Sequence, residues 1–505
     1  MAISVDVYLL SGKSVSLEIQ EDASVEKLTQ RAQRALAVGK GRLLSADGHV
    51  LDAGLTLQRA RVQSGDALCL QIRLPQVAAP KWRKCTEIGN ESEGAFAAIL
   101  GDGSVVTWGP ARSGGDSRSV QAQLKGVEKI QASEHAFAAI LGDGSVVTWG
   151  DAEFGGDSSS VQGQLRGVQH IQASGAAFAA ILGDGSVVTW GDADSGGDSS
   201  SVQAQLKGVQ HIQASGAAFA AILSDGRVVT WGDVNSGGKS SLAQARLKDV
   251  QHIQASEHAF AAILGDGSVV TWGLAVAGGD SRSVQAQLKG VQQIQASRHA
   301  FAAILGDGSV VTWGLASSGG VSSSVQAQLK GVQHVQACGH AFAAVLGDGS
   351  VVTWGRAVSG GNNALVQAQL TGVQHIQASE NAFAAVHGDG SVVTWGLAVA
   401  GGDSRSVQAQ LKGVQHIQAS GPAFAAILGD GSVVTWGSSN YGGGGANSTA
   451  VQAQLKGVQH IQASQGAFAA VLRDGSVVTW GLDVGADSGG GSSSVPPQRE
   501  GVQHI

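Results

Sequence analysis

One pattern of apolar and polar positions, AFAAILGDGSVVTWG at residues 95 to 109, repeats along most of the chain. In each copy two apolar runs flank an Asp-Gly pair, which is a strong short-range signal for a β-hairpin. A fixed period of this length predicts a repeat architecture. The Phe of the pattern recurs ten times, in steps of 41 residues and a last step of 44, at Phe96, Phe137, Phe178, Phe219, Phe260, Phe301, Phe342, Phe383, Phe424 and Phe468.

Both faces of the predicted hairpin are apolar. With the Asp-Gly pair as a two-residue turn, Ile99 is expected opposite Val106 and Ala97 opposite Trp108, and opposed residues share a face. A sheet with one wet side would alternate apolar and polar residues, so each hairpin must be covered on both sides. One repeat cannot cover its own two faces, and neighbouring repeats must therefore stack.

The rest of each repeat predicts a blade of three to four strands. Residues 209 to 214 form a first strand before the hairpin, and residues 242 to 247 form a candidate fourth, irregular outer strand. We therefore expect an all-β repeat array, a β-propeller of ten repeats. Since propellers usually have about four to eight blades, a ring of ten, a smaller ring with an overhang and an open spiral all stay open. Residues 501 to 505 resemble a lone first strand, which we expect to pair beside residues 95 to 100 and close the ring.

Residues 1 to 74 carry a different pattern. Apolar alternation predicts a hairpin over residues 3 to 19, a helix is expected from about Ser24, and later strands are expected near residues 42 to 44 and 67 to 73. The segments LLSGKSVSLEI, SVEKLTQRAQ, RLLSADGHVLDAGLTL and GDALCLQIRL resemble ubiquitin in their order and spacing. This resemblance implies a small α+β domain with the β-grasp fold.

The resemblance to ubiquitin also implies a candidate binding surface. In that family, receptors bind a surface centred on strand residues. Leu44 matches one residue of this surface, whereas Gln71 stands where the family has an apolar strand residue. The terminal Gly-Gly of the family is replaced by Leu-Pro-Gln at residues 74 to 76, so conjugation to other proteins is not expected. A β-grasp spacer without a partner is the alternative.

A linker separates this domain from the repeats. Residues 75 to 84, PQVAAPKWRK, contain two of the six prolines and show no periodicity, which is typical of a short, stiff connection. The predicted organisation is therefore a β-grasp domain at residues 1 to 74, a linker at residues 75 to 84, and ten repeats at residues 85 to 505.

The repeats themselves resemble a known family. The order of a first strand, Ala-Phe, Asp-Gly, Thr-Trp-Gly and Gly-Gly is similar to that of the regulator of chromosome condensation repeats. The resemblance implies a β-propeller, in agreement with the two-faced burial derived above. Propellers of this family also occur in HERC-type ubiquitin ligases, and the founding member is a guanine-nucleotide exchange factor for a small GTPase.

Composition excludes several classes of partner. A net charge of -7 and a sequence pI near 6.0 provide no basic surface for nucleic acid. No apolar run approaches the length of a membrane span, so we expect no membrane segment. Cys69, Cys85 and Cys338 lie far apart, which favours a reducing compartment, and we expect a cytoplasmic or nuclear location.

Candidate chemistry is sparse. Equivalent atoms of stacked sheets lie about 10 Å apart, whereas zinc needs its nitrogen ligands about 2.1 Å from one point. We therefore expect no metal site, and no cofactor, at the repeat position shared by eight histidines: His170, His211, His252, His334, His375, His416, His460 and His504. A catalytic Ser, His and Asp set cannot be singled out from so many near-identical copies, so we expect no enzyme activity.

The repeats differ from one another at two places, the pair before Ala-Phe and the four residues after Trp-Gly. In a meander both connections lie at the same end of the sheet, and the Asp-Gly turns lie at the other. Variable loops on a rigid scaffold are where specificity usually resides, although unconstrained drift of these loops is an alternative. The predicted protein-binding residues are Glu134, His135, Phe154, Asp194, Asn235, Glu257, His258, Arg298, His299, Arg356 and Tyr441.

These observations favour a non-catalytic scaffold that binds a protein partner of unknown identity. The ubiquitin-like domain would connect the scaffold to the ubiquitin pathway. One alternative is a relative or fragment of a HERC-type ligase that contains the substrate-recognition part without a catalytic domain. A second alternative, nucleotide exchange on a small GTPase, is implied by the family resemblance alone.

Overall fold

The computed structural model describes residues 2–10, 12–36, 38, 40–72, 75–80, 94–444 and 446–481. Within these residues, a four-stranded sheet near the N-terminus is followed by ten three-stranded antiparallel sheets. The expected all-β repeat array with a small α+β unit at the N-terminus is confirmed. No helix among the described residues is both long and apolar enough to cross a membrane.

The N-terminal unit consists of β1 (Ala2–Tyr8), β2 (Ser14–Gln20), α1 (Val25–Leu36), β3 (Gly41–Leu44) and β4 (Ala67–Ile72). The strand order is β2-β1-β4-β3, with β1 parallel to β4 and antiparallel to β2. Helix α1 buries Leu28 and Leu36 in the core of this unit. The Ser24 hydroxyl accepts a hydrogen bond from the Lys27 N–H at 3.2 Å, so Ser24 caps the helix as predicted.

Each of the ten sheets is a meander of three strands. The first strands are β5 (Gln76–Ala78), β8 (Val127–Ala132), β11 (Val168–Ala173), β14 (Val209–Ala214), β17 (Val250–Ala255), β20 (Val291–Ala296), β23 (Val332–Ala337), β26 (Val373–Ala378), β29 (Val414–Ser420) and β32 (Val458–Ala463). The second strands are β6 (Phe96–Ile99), β9 (Ala136–Leu141), β12 (Ala177–Leu182), β15 (Ala218–Leu223), β18 (Ala259–Leu264), β21 (Ala300–Leu305), β24 (Ala341–Leu346), β27 (Ala382–His387), β30 (Ala423–Leu428) and β33 (Ala467–Leu472). The third strands are β7 (Val105–Trp108), β10 (Val146–Gly150), β13 (Val187–Gly191), β16 (Val228–Gly232), β19 (Val269–Gly273), β22 (Val310–Gly314), β25 (Val351–Gly355), β28 (Val392–Gly396), β31 (Val433–Gly437) and β34 (Val477–Gly481). A short helix, α2 (Ala446–Val451), lies between β31 and β32.

The hairpin is confirmed, but its predicted register is wrong by one residue. Trp108 lies opposite Phe96, and not opposite Ala97. The reason is the turn, because the Leu100 N–H donates to the Ser104 carbonyl at 2.8 Å and leaves three residues in the loop. The last of these is a glycine with a φ of +81°, as three-residue hairpin loops require.

Both faces of each sheet are buried, as predicted. In all ten repeats the Phe of the second strand stacks on the Trp of the third, with ring centroids 5.1 to 5.3 Å apart. This aromatic pair packs against the opposite face of the preceding sheet, as Phe219 and Trp231 pack against Ile181 and Val187. Apolar burial between successive sheets therefore holds the repeats together.

The predicted fourth strand does not form. Residues 242 to 247 are a turn and a short 3-10 segment. The Gln244 side chain donates to the Val228 carbonyl of the third strand at 2.9 Å, and its own oxygen accepts from Ser240 Oγ at 2.8 Å. Side-chain amides thus occupy the open edge of the third strand, which is one way of protecting an edge from aggregation.

The ring closes with ten sheets. Phe96, Ala98 and Trp108 of the first sheet pack in one buried cluster with Ala469 and Val471 of the tenth. A smaller ring with an overhang and an open spiral are therefore both excluded.

The predicted closing strand is wrong, because another segment occupies its place. Strand β5 pairs with β6, with Gln76 opposite Ile99 and Ala78 opposite Ala97. Val77 between them packs against the cluster that joins the first and tenth sheets. The linker prediction is therefore wrong for residues 76 to 78, while residues 81 to 84 and 501 to 505 lie outside the described residues.

Candidate interaction face

The two variable stretches meet at one end of the ring, as predicted. In repeat 2 the Asp151 N–H, just after Trp-Gly, donates to the carbonyl of His135 at 3.0 Å. In repeat 5 the Leu274 N–H donates to the His258 carbonyl at 2.9 Å. We call this end, formed by the pair before Ala-Phe and the four residues after Trp-Gly in each repeat, the variable end.

The backbone of the variable end is held in one conformation. In repeat 5 the N–H groups of Ala277 and Gly279 both donate to the Leu274 carbonyl at 3.0 Å. Gly278 between them has a φ of +94°, and a Cβ on it would lie 2.4 Å from a ring carbon of Phe301 in the next repeat. Its carbonyl accepts from Trp313 Nε1 at 3.0 Å. The repeated Gly-Gly is therefore required by packing and by positive φ, while neighbouring side chains are free to vary.

Exposed apolar side chains cover part of the variable end. Val276 and Val399 are 61% and 67% exposed, and they belong to the Leu-Ala-Val-Ala stretches of repeats 5 and 8. Equivalent stretches in the repeats between and beside them also expose apolar side chains. We call this set the apolar arc of repeats 4 to 8: Val234, Leu274, Val276, Leu315, Val358, Leu397 and Val399.

The same stretches in repeats 2 to 4 are acidic. Repeat 2 carries Asp151 and Glu153, repeat 3 carries Asp192 and Asp194, and repeat 4 carries Asp233 beside the first residue of the arc. The variable end therefore contains an acidic sector that is followed by an apolar sector. The apolar sector was not predicted, although the change from charged to apolar residues after Trp-Gly is visible in the sequence.

The predicted binding residues differ in their exposure. Asp194, Asn235 and Arg356 are exposed, as expected of binding residues. Phe154 and Tyr441 are half-buried. The Phe154 ring packs edge-on against His135 with centroids 4.5 Å apart, and the Tyr441 ring lies against Gly421.

The remaining predicted residues lie at the pair before Ala-Phe and are half-buried. The first residue of each pair donates its N–H to the carbonyl of the equivalent residue in the next repeat. These bonds, 2.8 to 3.1 Å long, form a continuous column through Glu134, Gly175, Gly216, Glu257, Arg298, Gly339, Glu380 and Gly421. The column therefore makes these positions structural as well as variable.

Three charged side chains meet on this column. Arg298 Nε lies 3.3 Å from a carboxylate oxygen of Glu257, and its Nη2 lies 3.9 Å from a carboxylate oxygen of Glu380. The histidines beside them also converge, since the rings of His258 and His299 stack with centroids 5.8 Å apart. Burial is the largest cause of the lowered pKa of His299, whereas the negative charge of Glu257 raises this pKa. The structure thus brings together Glu257, His258, Arg298 and His299, whereas Glu134 and His135 lie three repeats away.

The histidines of the first strands lie closer together than the sequence analysis assumed. The rings of His416 and His460 have centroids 6.3 Å apart, because radially arranged sheets converge along their first strands. Partial burial, together with neighbouring histidines, lowers the pKa of His170, His211 and His416. The eighth member of the set, at position 504, lies outside the described residues.

The predicted surface of the N-terminal unit lies on one face of its sheet. Leu44 pairs with Cys69, and Gln71 pairs with Arg42. All four side chains are half-buried and lie on the side of the sheet opposite the buried Leu43. The structure therefore brings Leu44 and Gln71 to the same face of the sheet.

No family model and no curated protein matches the chain. Among solved structures, Prp20p of Saccharomyces cerevisiae, which binds Gsp1p and histones, is 16% identical with a TM-score of 0.30; the match covers 46% of this chain and 72% of Prp20p. The ectodomain of the receptor kinase CR4 of Physcomitrella patens is 14% identical with a TM-score of 0.32, over 61% of this chain and 75% of that protein. A designed protein based on ubiquitin is 18% identical with a TM-score of 0.13, over 14% of this chain and 87% of its own. Because these TM-scores and identities are low, the fold assignment depends on the sheets described above and not on these matches.

Proposed function

We propose that the chain is a non-catalytic scaffold that binds a protein partner at the variable end, through the apolar arc of repeats 4 to 8. The observation that carries this proposal is that each of five consecutive repeats exposes at least one apolar side chain after Trp-Gly, with Val276 and Val399 the most exposed. Soluble proteins rarely expose contiguous apolar surface without a binding role. Because the backbone beneath these side chains is fixed, little conformational entropy is lost when a partner binds.

The charges beside the apolar arc define the partner's chemistry. Glu153, Asp194 and Asp233 lie in the acidic sector, immediately before the arc in the order of the repeats. The complementary partner surface is an apolar ridge flanked by Lys or Arg. In this proposal the half-buried Phe154 and Tyr441 pack against the loops and hold them in place. The exposed Asn235 and Arg356 contribute polar contacts at the edge of the apolar arc.

A catalytic alternative has less support. A HERC-type ligase transfers ubiquitin through a reactive cysteine thiolate. Burial raises the pKa of the Cys338 thiol to about 11, which keeps it protonated and unreactive at neutral pH. We also propose that the repeats belong to the regulator of chromosome condensation family. The proposed location of the chain is the cytoplasm or the nucleus.

The test is capture of partners from a cell lysate by the full chain and by two matched double variants. Val276→Asp with Val399→Asp places charge in the apolar arc. Leu242→Asp with Leu365→Asp makes the same chemical change at two fully exposed apolar residues between the Gly-Gly loop and the Gln of the third-strand edge. We expect the arc variant to lose proteins that both the unchanged chain and the control variant retain.

Circular dichroism and thermal unfolding should be the same for both variants, since all four positions are exposed. Equal capture by the arc variant and the control would contradict the proposal. A Leu44→Ala chain in the same experiment tests the N-terminal unit as a ubiquitin-like module. Loss of ubiquitin-pathway proteins supports that role, and unchanged capture contradicts it.

A further inference from the structure

Three potential metal ligands converge between repeats 5 and 6. The Glu257 carboxylate lies 3.9 Å from His258 Nε2 and 3.5 Å from His299 Nε2. All three donor atoms lie within 4.8 Å of one another, and this is the one such group of His, Cys, Asp or Glu among the described residues. Tetrahedral zinc with bonds of about 2.1 Å holds its ligand atoms about 3.4 Å apart, so small side-chain rotations complete the geometry.

The neighbours of this group favour metal binding. His258 Nδ1 lies 3.2 Å from Ser236 Oγ, which orients the ring so that Nε2 points toward Glu257. Such a hydrogen bond on the second nitrogen is a regular feature of metal-binding histidines. The Glu257, His299 and His258 side chains are 16%, 24% and 35% exposed, so an ion can reach them while much of the surrounding water is excluded.

One positive side chain lies beside this group. Arg298 Nε is 3.3 Å from a Glu257 oxygen, and Arg298 Nη2 is 3.9 Å from a Glu380 oxygen. The guanidinium is therefore shared between two carboxylates, and it would remain beside Glu257 as an outer neighbour of a bound ion.

We propose that Glu257, His258 and His299 form a binding site for Zn²⁺ that joins repeats 5 and 6. Imidazole and carboxylate ligands suit zinc, and three protein ligands leave a fourth position for water or a partner's side chain. The site lies in the same repeats as the apolar arc, but none of its three ligands belongs to the arc. It differs from the metal ring considered in the sequence analysis, because its ligands come from the pair before Ala-Phe and not from the first strand.

The chain contains a natural control for this site. Repeat 2 carries the same Glu-His pair at Glu134 and His135, but repeat 3 follows it with Gly175 and Ala176 in place of Arg-His. Repeat 2 therefore has two of the three ligands and lacks the third. Glu134→Gln makes the same chemical change as Glu257→Gln at a position where no site is expected.

The experiment is titration of the metal-free full chain with Co²⁺, followed by visible absorption, and with Zn²⁺ in competition with a chromophoric chelator. We expect one tight equivalent with absorption typical of tetrahedral cobalt. In Glu257→Gln and His299→Ala that equivalent should weaken at least 100-fold, while Glu134→Gln should bind as the unchanged chain does. Zinc should also raise the unfolding temperature of the unchanged chain and not of His299→Ala.

Other metal-binding histidines do not obscure the result, because the quantity compared is the equivalent lost in each variant. No tight equivalent in the unchanged chain would overturn the proposal. So would an equal loss in Glu134→Gln, or a full equivalent retained in His299→Ala. Glu257→Gln keeps the size of the side chain, so its unfolding temperature without metal checks that the fold is intact.

Discussion

Replacement of Trp231 by Phe should destabilise the ring more than the same replacement of Trp108. Both indoles are buried and stack on a Phe of their own sheet at 5.2 and 5.3 Å. Trp231 Nε1 donates to the Gly196 carbonyl of the preceding repeat at 3.0 Å. Among the described residues, Trp108 Nε1 has no acceptor.

The size of the difference follows from the unpaired carbonyl. Trp→Phe removes similar ring area at the two positions, so the packing term is common to both variants. At Trp231 the change also leaves the buried Gly196 carbonyl without its donor, which costs about 1–3 kcal/mol. At Trp108 no carbonyl among the described residues loses a donor.

Hydrogen exchange followed by mass spectrometry measures this difference within the ring. Trp231→Phe should accelerate the exchange of the β14, β15 and β16 amides by a factor about 5- to 150-fold larger than the factor by which Trp108→Phe accelerates the β6 and β7 amides. This ratio corresponds to the difference of about 1–3 kcal/mol between the two variants. Equal acceleration in the two variants would refute the reasoning, since it would assign the whole cost to packing.

Two further predictions concern the loops and the pH. Gly278→Ala should lower the thermal unfolding temperature more than Gly290→Ala: both have positive φ, but only at Gly278 would the new methyl group collide with Phe301, at 2.4 Å. Stability measured by thermal unfolding should fall as the pH falls from 7 toward 2. Below about 6.5 the native state binds fewer protons than the unfolded chain, because partial burial lowers the pKa of His135, His170, His211, His299 and His416. Below about pH 3.8 the carboxylates of the Asp-Gly turns also lower the stability as the pH falls, since hydrogen bonds lower the pKa of Asp143, Asp184, Asp225, Asp266, Asp307, Asp348, Asp389 and Asp430. A constant unfolding temperature from pH 7 to 5 would contradict the contribution of the histidines.

The fold class was predictable because the period, the Asp-Gly pair and the two apolar faces all indicate stacked hairpins. The register was not predictable from the same pattern. A one-residue slip normally moves apolar side chains into water, which penalises the wrong register. Here both faces are apolar, so Trp108 opposite Ala97 and Trp108 opposite Phe96 satisfy the pattern equally. The turn decides, and its three-residue form depends on a glycine with positive φ.

Ring closure and the outer edge depend on contacts between distant segments. Val77 lies in a stretch with two nearby prolines and no periodicity, and nothing local distinguishes it from a linker. Its strand pairs with β6, and its side chain packs against the buried cluster that contains Phe96 and Trp108. Likewise, Gln244 lies in an apparently strand-like stretch, but its amide binds the Val228 carbonyl and replaces a fourth strand.

The candidate site was predictable in its position and not in its exposure. The alternation of variable and constant residues places both variable stretches at one end, which the bond from Asp151 to His135 confirms. Exposure depends on side chains that are distant in the sequence, in the same repeat or in other repeats. The Phe154 ring packs against His135 of its own repeat, and Arg298 lies between two glutamates that are 41 and 82 residues away in the chain. The pattern of variable positions contains no information about such contacts.

The near-identity of the repeats limits where a partner can bind. Ten sheets with the same aromatic pairs present ten similar frames, so a partner can distinguish one sector only by side chains that differ. Those differences are ordered around the ring: acidic loops in repeats 2 to 4 are followed by apolar loops in repeats 4 to 8. If a partner binds here as proposed, we expect one orientation only, because its apolar and basic parts would fit this boundary in one direction. The convergence of Glu257, His258 and His299 within the apolar sector adds a feature that no other pair of described repeats contains.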